Sequence, residues 1–476
     1  MTNHDHRAFL DALRQALPDR SMPSDPDWLA PRLTDSLGRY TGACLAFCEP
    51  ATTEEVSQIV RLCSEHGIAI VPQGGNTNRV GAATPDASGD QVVISLRRMN
   101  RIRSVDASDF TISVDAGCVL ADIQNAAEEA DRLFPLSLGA EGSCMIGGNI
   151  ATNAGGLNVI QYGNTRALVL GLEVVLADGT VWDGMRRLVK DNRGYDLKQM
   201  FIGSEGTLGV ITGAVLRLFP APKVHATALC SLDDLDGALK LLSIARNHAA
   251  SSVCGFEVMS GITLATAEEL IPDIRRPFDP LPDWTVLLEL SDPRADHDLG
   301  PTMEALLAEA LEDGAITDAI LATSEAQRAN LWRYREAIVA AGVQRGAVVR
   351  HDVSVPVSEI PDFVRACDSE LDELLPGVVP YVMGHMGDGN LHYHMAPPDG
   401  MSQEEFAGHV PALDARLYDI TARFNGSFSA EHGVGQAKTG QLETYLPGPQ
   451  YAMAQAIKKA LDPKGLMNPG KVFPAT

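Results

Sequence analysis

The sequence is short of the residues that several protein classes require. Its 476 residues include 38 lysines and arginines against 62 aspartates and glutamates, a formal net charge of −24 at pH 7. This shortage of cations argues against a nucleic-acid partner and an anionic membrane surface, and at first sight against an anionic substrate. No apolar run reaches the roughly 18 residues of a membrane-spanning helix. No targeting segment is recognised at the start. We therefore expect no transmembrane segment and a bacterial cytoplasmic location.

The eight cysteines are scattered and include no Cys-x-x-Cys pair, so neither a zinc ribbon nor an iron–sulfur ligand set is indicated. We expect them to be reduced and mostly buried. A redox site formed by Cys44 and Cys48 is a less favoured alternative. Aromatic residues make up only 5%, but hydrophobic residues reach 45%, which excludes a disordered chain. The length predicts two domains, with room for a third small element.

The second half of the chain, beyond Pro220-Ala221-Pro222, has its own pattern of strands and helices. Short apolar strand patterns alternate with helical ones, and this predicts an α+β region with an antiparallel sheet. The predicted strands cover residues 226–231, 252–259, 285–290, 315–322, 348–356, 378–384 and 390–395.

Three glycine-rich segments interrupt the first half. Gly74-Gly75-Asn76-Thr77 follows a buried strand pattern, and its backbone N–H groups could converge on an anion such as a pyrophosphate. Neither G-x-G-x-x-G nor the G-x-x-x-x-G-K-[ST] phosphate loop is present. The stretch 142–156 has neither alternation nor helical period, which suits a large flat ligand lying against it. Residues 203–212 form the third segment. Each segment alone could be an ordinary tight turn.

Histidines are scarce, yet four of the twelve lie in two short motifs. In the first motif Gly387 and Gly389 suggest a tight turn that would fold His385 back beside His392. His392 and His394 are two residues apart, so they share one face of a strand. The second motif is Glu431-His432-Gly433. Two imidazoles and a carboxylate make a His₂-Glu metal-ligand set with a position open for substrate, although any one histidine is more often an ordinary polar residue.

These motifs, with Tyr162-Gly163, Leu172–Gly179 and Asp196-Leu197, resemble the FAD-binding domain of the vanillyl-alcohol oxidase / p-cresol methylhydroxylase superfamily. Within it the chain is similar to the FAD-dependent D-2-hydroxyacid dehydrogenases, closest to the D-2-hydroxyglutarate dehydrogenase group. The resemblance implies an α+β fold: a two-subdomain FAD-binding domain of the p-cresol methylhydroxylase type and an α+β substrate (cap) domain with an antiparallel sheet. The implied domains are an N-terminal helical segment (1–39), the FAD-binding domain (40–222), the cap domain (223–425) and a C-terminal segment (426–476) completing the active site and the FAD-binding domain.

The resemblance also implies which residues hold FAD. Relatives with covalent flavin carry a histidine where this sequence has Asn76, so we expect non-covalent FAD. The first loop would bind the pyrophosphate, the second segment would line the dinucleotide and the flavin, and residues 205–211 would approach the adenine–ribose end. The implied cofactor-binding residues are Gly74, Gly75, Asn76, Thr77, Gly81, Gly142, Ser143, Gly147, Gly148, Asn149, Thr152, Asn153, Gly155, Glu205, Gly206, Ile211 and Asn468.

For the chemistry, His385, His392 and Glu431 match the divalent-metal ligands of these relatives; zinc is the first choice and manganese the alternative. His432 matches their general base. The substrate-binding residues implied are Arg335, Arg350, His394 and Lys438. The chain departs from the hydroxyglutarate group at Arg350 (lysine there), His394 (asparagine) and Val339 (threonine). D-2-hydroxyglutarate and a shorter, D-lactate-like acid therefore both stay open as substrates.

The implied reaction is oxidation of a D-2-hydroxyacid to the 2-oxoacid, with hydride transfer to flavin N5 and electrons passed to a separate acceptor protein or quinone. Three alternatives remain: an oxidase that uses O₂, an ether-forming alkyl-dihydroxyacetone-phosphate synthase type, which is disfavoured, and a non-catalytic zinc- or nucleotide-binding protein. A homodimer is left open. The arginines and the cation would give an acidic protein a locally positive pocket for a carboxylate.

Overall fold

The computed structural model describes residues 3–274, 277–345 and 349–475. These residues form two compact units. The first unit contains the described residues up to Gly155, Tyr162–Ala221 and the chain from Glu431 onward; the second contains Gly156–Gln161 and Pro222–Ala430. The chain therefore passes from one unit to the other four times. Residues 156–161, which the sequence analysis placed in the FAD-binding domain, belong to the second unit.

The strands of the first unit form a parallel sheet, an antiparallel sheet and a two-stranded pair. The three-stranded parallel sheet has the order β1-β3-β2, the five-stranded antiparallel sheet the order β4-β5-β9-β7-β8, and β6 pairs with β10. The strands are β1 (Ala46–Cys48), β2 (Ile70–Gln73), β3 (Val92–Ser95), β4 (Ile102–Asp106), β5 (Thr111–Asp115), β6 (Arg132–Leu133), β7 (Val169–Val175), β8 (Val181–Gly184), β9 (Val210–Arg217) and β10 (Phe219–Pro220).

The third, fourth and fifth helices of this part of the chain contact strands of the first unit. The third helix begins where the Thr52 hydroxyl accepts from the Glu55 N–H and ends at Gly67, whose φ is +67°. The fifth helix lies in the glycine-rich stretch 142–156, where the sequence analysis saw no helical period. The helices are α1 (Asn3–Ala16), α2 (Pro26–Leu29), α3 (Thr53–His66), α4 (Leu120–Glu129), α5 (Ile146–Ala151), α6 (Val159–Tyr162), α7 (Thr165–Leu168) and α8 (Lys198–Phe201).

The second unit is built on one seven-stranded sheet of order β14-β11-β13-β12-β16-β17-β15, antiparallel throughout. The predicted antiparallel sheet is confirmed. The predicted start of one strand, Val348, lies outside the described residues. The strands are β11 (Val224–Leu232), β12 (Val253–Ser260), β13 (Trp284–Asp292), β14 (Asp318–Leu321), β15 (Val349–Ser354), β16 (Val379–His385) and β17 (Asn390–Ala396).

Two helices of the second unit, α10 (Gly261–Leu270) and α12 (Glu325–Gln344), pack on one face of this sheet. Their apolar side chains join Leu229, Met259, Leu287 and Met383 in a buried cluster. The helices are α9 (Leu235–Ala249), α10 (Gly261–Leu270), α11 (Gly300–Glu312), α12 (Glu325–Gln344), α13 (Ile360–Leu374) and α14 (Gln403–Arg423).

After Ala430 the chain returns to the first unit and adds α15 (Thr439–Tyr445) and α16 (Gly448–Leu461). Lys458 of α16 donates to the Met467 carbonyl at 2.8 Å, and Met467 forms a parallel bridge with Ile70 at the start of β2. The end of the chain is thus held beside the first glycine-rich loop. Among the described residues, no helix combines the length and apolar character that crossing a membrane demands.

Candidate functional site

The loop after β2 presents backbone donors. Gly74 and Gly75 are half-buried, and among the described residues no protein acceptor is found for the N–H groups of Gly74 through Thr77. A Cβ on Gly75 would overlap the carbonyl oxygen of Ser143, so only glycine allows this loop to pack against the second glycine-rich segment. Consecutive N–H groups without a partner are the donor set that a pyrophosphate requires.

Three asparagine side chains of the first unit carry unpaired oxygens. The Oδ1 atoms of Asn76, Asn149 and Asn468 are buried, and none has a hydrogen-bond partner among the described residues. The Nδ2 of Asn76 donates to the Thr34 carbonyl at 2.8 Å, which fixes the orientation of that amide. Buried polar atoms without partners are costly unless a ligand satisfies them. The first unit therefore fits a polar, phosphate-bearing cofactor.

The second glycine-rich segment offers close packing rather than donors. The Gly147 N–H donates to the Ala116 carbonyl, and a Cβ at Gly147 would lie 2.8 Å from that of Ala116. The Thr152 hydroxyl donates to the Gly148 carbonyl, and Asn153, at φ +51°, accepts from the Arg166 N–H. Of the remaining predicted residues here, Gly142 and Ser143 are exposed and Gly155 is half-buried.

Glu205 holds the loop that follows His432. Its carboxylate accepts from the N–H groups of Val434 and Gly435, both at 2.7 Å. Burial raises the pKa of Glu205 to about 6 despite these two hydrogen bonds. Asn468 donates to the Glu205 carbonyl at 2.7 Å, which adds the end of the chain to the same assembly.

Three other predicted cofactor residues lie near this assembly. The Gly81 carbonyl accepts from Gln436, and Gly206, at φ +72°, packs on Pro72. Ile211 lies on β9 with its side chain in the core, so it could reach a cofactor only through its main chain.

Two of the candidate metal ligands, His385 and His392, lie together. His385 ends β16 and His392 lies on β17, and the turn between them brings their rings to 5.7 Å between centroids. Glu431 directly follows Ala430, whose N–H donates to the Asp352 carbonyl at 3.3 Å. His385 and His392 of the second unit and Glu431, where the chain returns to the first unit, are the residue types of a His₂-Glu metal-ligand set. Such a set suits a divalent metal such as zinc.

A buried carboxylate that no sequence motif marks joins two of the predicted site residues. Glu257 on β12 lies directly across from His385 on β16, so their side chains share one face of the sheet. Its Oε1 lies 2.6 Å from His385 Nδ1, and its Oε2 accepts from Arg335 Nε at 2.8 Å. Burial acts to raise the pKa of Glu257, but the charges of His385 and Arg335 and their hydrogen bonds lower it to about 2.

Arg335 is one of the predicted substrate-binding residues and is only 7% exposed. It lies on α12, and Glu257 is its one hydrogen-bond partner among the described residues. The bond uses Nε, so the two terminal nitrogens still have donors to offer. A buried guanidinium with such donors can bind a carboxylate in bidentate geometry.

The other predicted substrate residues are more dispersed. Arg350 on β15 is exposed and lies across from His394 on β17. The His394 ring lies 6.0 Å from the His392 ring, and His394 borders a small cavity with Tyr381 and Arg345. Lys438 belongs to the first unit, where its charge partly opposes the rise in the pKa of Glu205 that burial causes.

A second cluster of metal-ligand types, His225, Cys254 and Glu289, is a poor metal site. The Glu289 carboxylate accepts from both Nε and Nη2 of Arg328, at 2.8 and 2.9 Å, and from Trp332 Nε1 at 2.8 Å. A guanidinium already neutralises this carboxylate, and a metal cation would have to displace it.

All eight cysteines are free. Burial raises the pKa of the Cys44 thiol to about 11, and it also raises the pKa of Cys48. Reactive cysteines have lowered pKa values, so the geometry does not favour the alternative of a redox site.

Comparison with known sequences gives two family matches. The family described as "FAD binding domain" matches residues 44–184, and "FAD linked oxidases, C-terminal domain" matches residues 221–472. The probable D-2-hydroxyglutarate dehydrogenase, mitochondrial, of Oryza sativa subsp. indica is 38% identical over 97% of this chain and 81% of its own length. The D-2-hydroxyglutarate dehydrogenase of Xanthomonas citri pv. viticola is 36% identical, over 97% and 96% respectively.

Comparison with solved structures gives the fold. The crystal structure of p-cresol methylhydroxylase with substrate bound superposes with a TM-score of 0.77 at 17% identity, covering 100% of this chain and 98% of that chain. The predicted α+β fold, with an FAD-binding domain of the p-cresol methylhydroxylase type, is confirmed. Together with the family matches, the relatives establish that the chain belongs to the D-2-hydroxyglutarate dehydrogenase family of FAD-linked oxidoreductases.

Proposed function

We propose that the protein oxidises a D-2-hydroxyacid, D-2-hydroxyglutarate or a shorter D-lactate-like acid, to the 2-oxoacid with non-covalent FAD and a divalent metal. The observation that carries the proposal is the His₂-Glu group together with the buried Arg335, which Glu257 connects to one of the two histidines. The first supplies a cation site and the second a carboxylate site, and a 2-hydroxycarboxylate needs both. The names of the relatives support the substrate class.

The cofactors supply chemistry that side chains lack. When bound, FAD would accept at its flavin N5 the hydride that leaves C2 of the substrate. A divalent cation would act as a Lewis acid that lowers the pKa of the substrate hydroxyl. The N–H groups of Gly74–Thr77 would hold the pyrophosphate, and 142–155 would lie along the dinucleotide. His385, His392 and Glu431 would hold the cation, zinc or alternatively manganese.

The chain's own residues then bind the acid and remove the proton. Arg335 and Arg350 bind carboxylate oxygens, with His394 and Lys438 as further polar partners. His432, as a neutral imidazole next to Glu431 in sequence, accepts the hydroxyl proton. The substrate thus loses one proton and one hydride. The two electrons pass to a separate acceptor protein or quinone, and the net charge of −24 favours one with a basic or neutral docking patch.

A panel of D- and L-2-hydroxyacids, scored by anaerobic bleaching of the flavin band near roughly 450 nm, tests the proposal. We expect D-2-hydroxyglutarate or D-lactate to bleach the flavin and the L-enantiomers to leave it oxidised. Oxygen consumption with the same substrates separates a dehydrogenase from an oxidase. A colourless protein, or one whose flavin no hydroxyacid reduces, would refute the proposal in favour of a non-catalytic binding protein.

A further inference from the structure

Glu257 is a carboxylate in an apolar setting. It is 1% exposed, in a strand whose other residues are all buried as well. An ionised carboxylate at such a position needs full compensation by cations and hydrogen bonds. Here each oxygen has one partner: Oε1 faces His385 at 2.6 Å and Oε2 accepts from Arg335 at 2.8 Å. The side chain therefore serves two residues at once.

The contact with His385 determines which ring nitrogen is available to a metal. Nδ1 donates its hydrogen to Glu257, so a metal would bind through the other ring nitrogen, Nε2. A carboxylate in this position fixes the tautomer and the ring plane, and it makes the ligating nitrogen more basic.

The contact with Arg335 determines which guanidinium edge faces the substrate. Because Nε is bound to Glu257, the edge formed by the two terminal nitrogens is the one presented to an anion. Arg335 follows Arg328 and Trp332 of α12 by seven and three residues, so all three side chains project from similar directions of that helix.

We propose that Glu257 is a positioning residue that couples the two halves of the site: it orients the metal ligand His385 and the carboxylate-binding Arg335 through one side chain. The inference rests on the proposed function and adds a residue that takes no part in the chemistry itself. Because binding free energies are reciprocal, metal occupancy then strengthens carboxylate binding, and a bound carboxylate strengthens metal binding.

The competing explanation is that Glu257 only anchors α12 to the sheet. Glu289, on the neighbouring strand β13, does that without touching a candidate metal ligand of the His385 group: it binds Arg328 and Trp332 of the same helix. Glu289 is likewise buried. E289Q is therefore a matched control for E257Q, since both changes remove one buried carboxylate under α12.

The experiment compares zinc affinity and steady-state kinetics in the FAD-loaded wild type, E257Q and E289Q. Zinc affinity is measured without substrate, by competition with a chromophoric chelator. A glutamine has one acceptor where the carboxylate has two, and it carries no charge. For E257Q we expect about a 10- to 100-fold loss of zinc affinity and about a tenfold rise in KM. For E289Q we expect both quantities within about twofold of wild type, with a lower melting temperature.

The outcomes separate this inference from the proposed function. Wild-type protein that binds no zinc or manganese overturns both. If the wild-type protein binds zinc and E257Q matches it in zinc affinity or in KM, only the role of Glu257 is overturned. The same holds if E289Q loses as much zinc affinity and raises KM as much as E257Q. If E257Q does not fold, E257D keeps the charge but withdraws the carboxylate by one methylene. It should then show the same two losses to a smaller extent, and wild-type values in E257D would overturn the inference.

Discussion

The glycine-rich loop of the first unit and the Glu257 cluster of the second unit handle buried polar groups in opposite ways. The first unit leaves the N–H groups of this loop and the side-chain oxygens of Asn76, Asn149 and Asn468 without partners among the described residues. The cluster instead satisfies each oxygen of Glu257 with a charged or polar side chain. Unsatisfied polar groups need a ligand to supply their hydrogen-bond partners. Paired charges, in contrast, hold their side chains in a fixed geometry before a ligand binds.

The largest effect expected concerns the metal. Exhaustive chelation of the FAD-loaded protein should reduce turnover to the background rate, because the proton on the hydroxyl is then too weakly acidic to remove at neutral pH. Flavin absorbance should stay unchanged, since the residues proposed to hold the dinucleotide are not the candidate metal ligands. Zinc or manganese should restore the rate. Full activity after verified metal removal would show that the metal plays no part in the reaction.

The next effect concerns the proposed base. His432→Ala should slow anaerobic flavin reduction by about 10²- to 10⁴-fold, the usual contribution of general base catalysis, and leave FAD bound. Stopped-flow bleaching measures the rate. His248→Ala is a suitable control because that imidazole pairs with Glu309 on the helices α9 and α11. A bleaching rate equal to wild type would contradict the assignment of His432.

Gly75→Ala should disrupt the glycine-rich loop of the first unit and leave the Glu257 cluster intact. The added methyl group would overlap the Ser143 carbonyl, so the loop must shift and the protein should lose most of its flavin on gel filtration. Zinc affinity should be retained. Gly139→Ala is the control because a Cβ there meets no atom within 4 Å. Normal flavin content in Gly75→Ala, or loss of flavin and zinc together, would contradict the contrast between the two regions.

The smallest effect is a pH-dependent contribution to stability from the neighbouring carboxylate. Burial acts to raise the pKa of Glu289, but the His225 imidazole, 3.6 Å away, and hydrogen bonds from Arg328 and Thr227 lower it to about 2. A lowered pKa in the folded state stabilises the protein above the unfolded value near 4.5, and this contribution is lost as the pH falls towards 2. It amounts to about 3 kcal/mol at neutral pH.

Urea unfolding of wild type and Glu289→Gln at pH 7 and near pH 3 measures this contribution. The difference in unfolding free energy between the two proteins should shrink at the lower pH, because below pH 4.5 the carboxyl group of Glu289 binds a proton in the unfolded wild type but stays ionised in the folded one, and glutamine has no such titration. An equal difference at both pH values would show that Glu289 is not ionised against Arg328 in the way its contacts indicate.

The glycine-rich segments of the first unit could be predicted from the sequence because each is contiguous. Gly74 to Thr77 and the stretch 142–156 are visible as motifs, and the turn between His385 and His392 is marked by Gly387 and Gly389. The strands of the second unit could also be predicted, because their apolar patterns are regular and separated by helices. The roles of the individual cofactor residues stay predictions.

Glu257 could not be found in the same way. It is 78 residues from Arg335 and 128 from His385, and only the pairing of β12 with β16 brings it beside them. A weak signal does exist: β12 and β13 each contain a single glutamate within an apolar strand. Such a residue needs a buried partner, but the sequence does not say which one. Similarly, α5 was missed because close packing on Ala116, rather than periodicity, sets its conformation.

The turn between the candidate metal ligands His385 and His392 limits how this chain can be recombined. A Cβ at Gly387 would overlap Ile160, a residue of the short segment Gly156–Gln161 that lies more than 200 positions earlier in the chain. An exchange between relatives that swaps only Pro222–Ala430 would set one parent's Ile160 position against the other parent's turn. An exchange of the second unit between relatives should therefore carry residues 156–161 together with the region that contains His385 and His392.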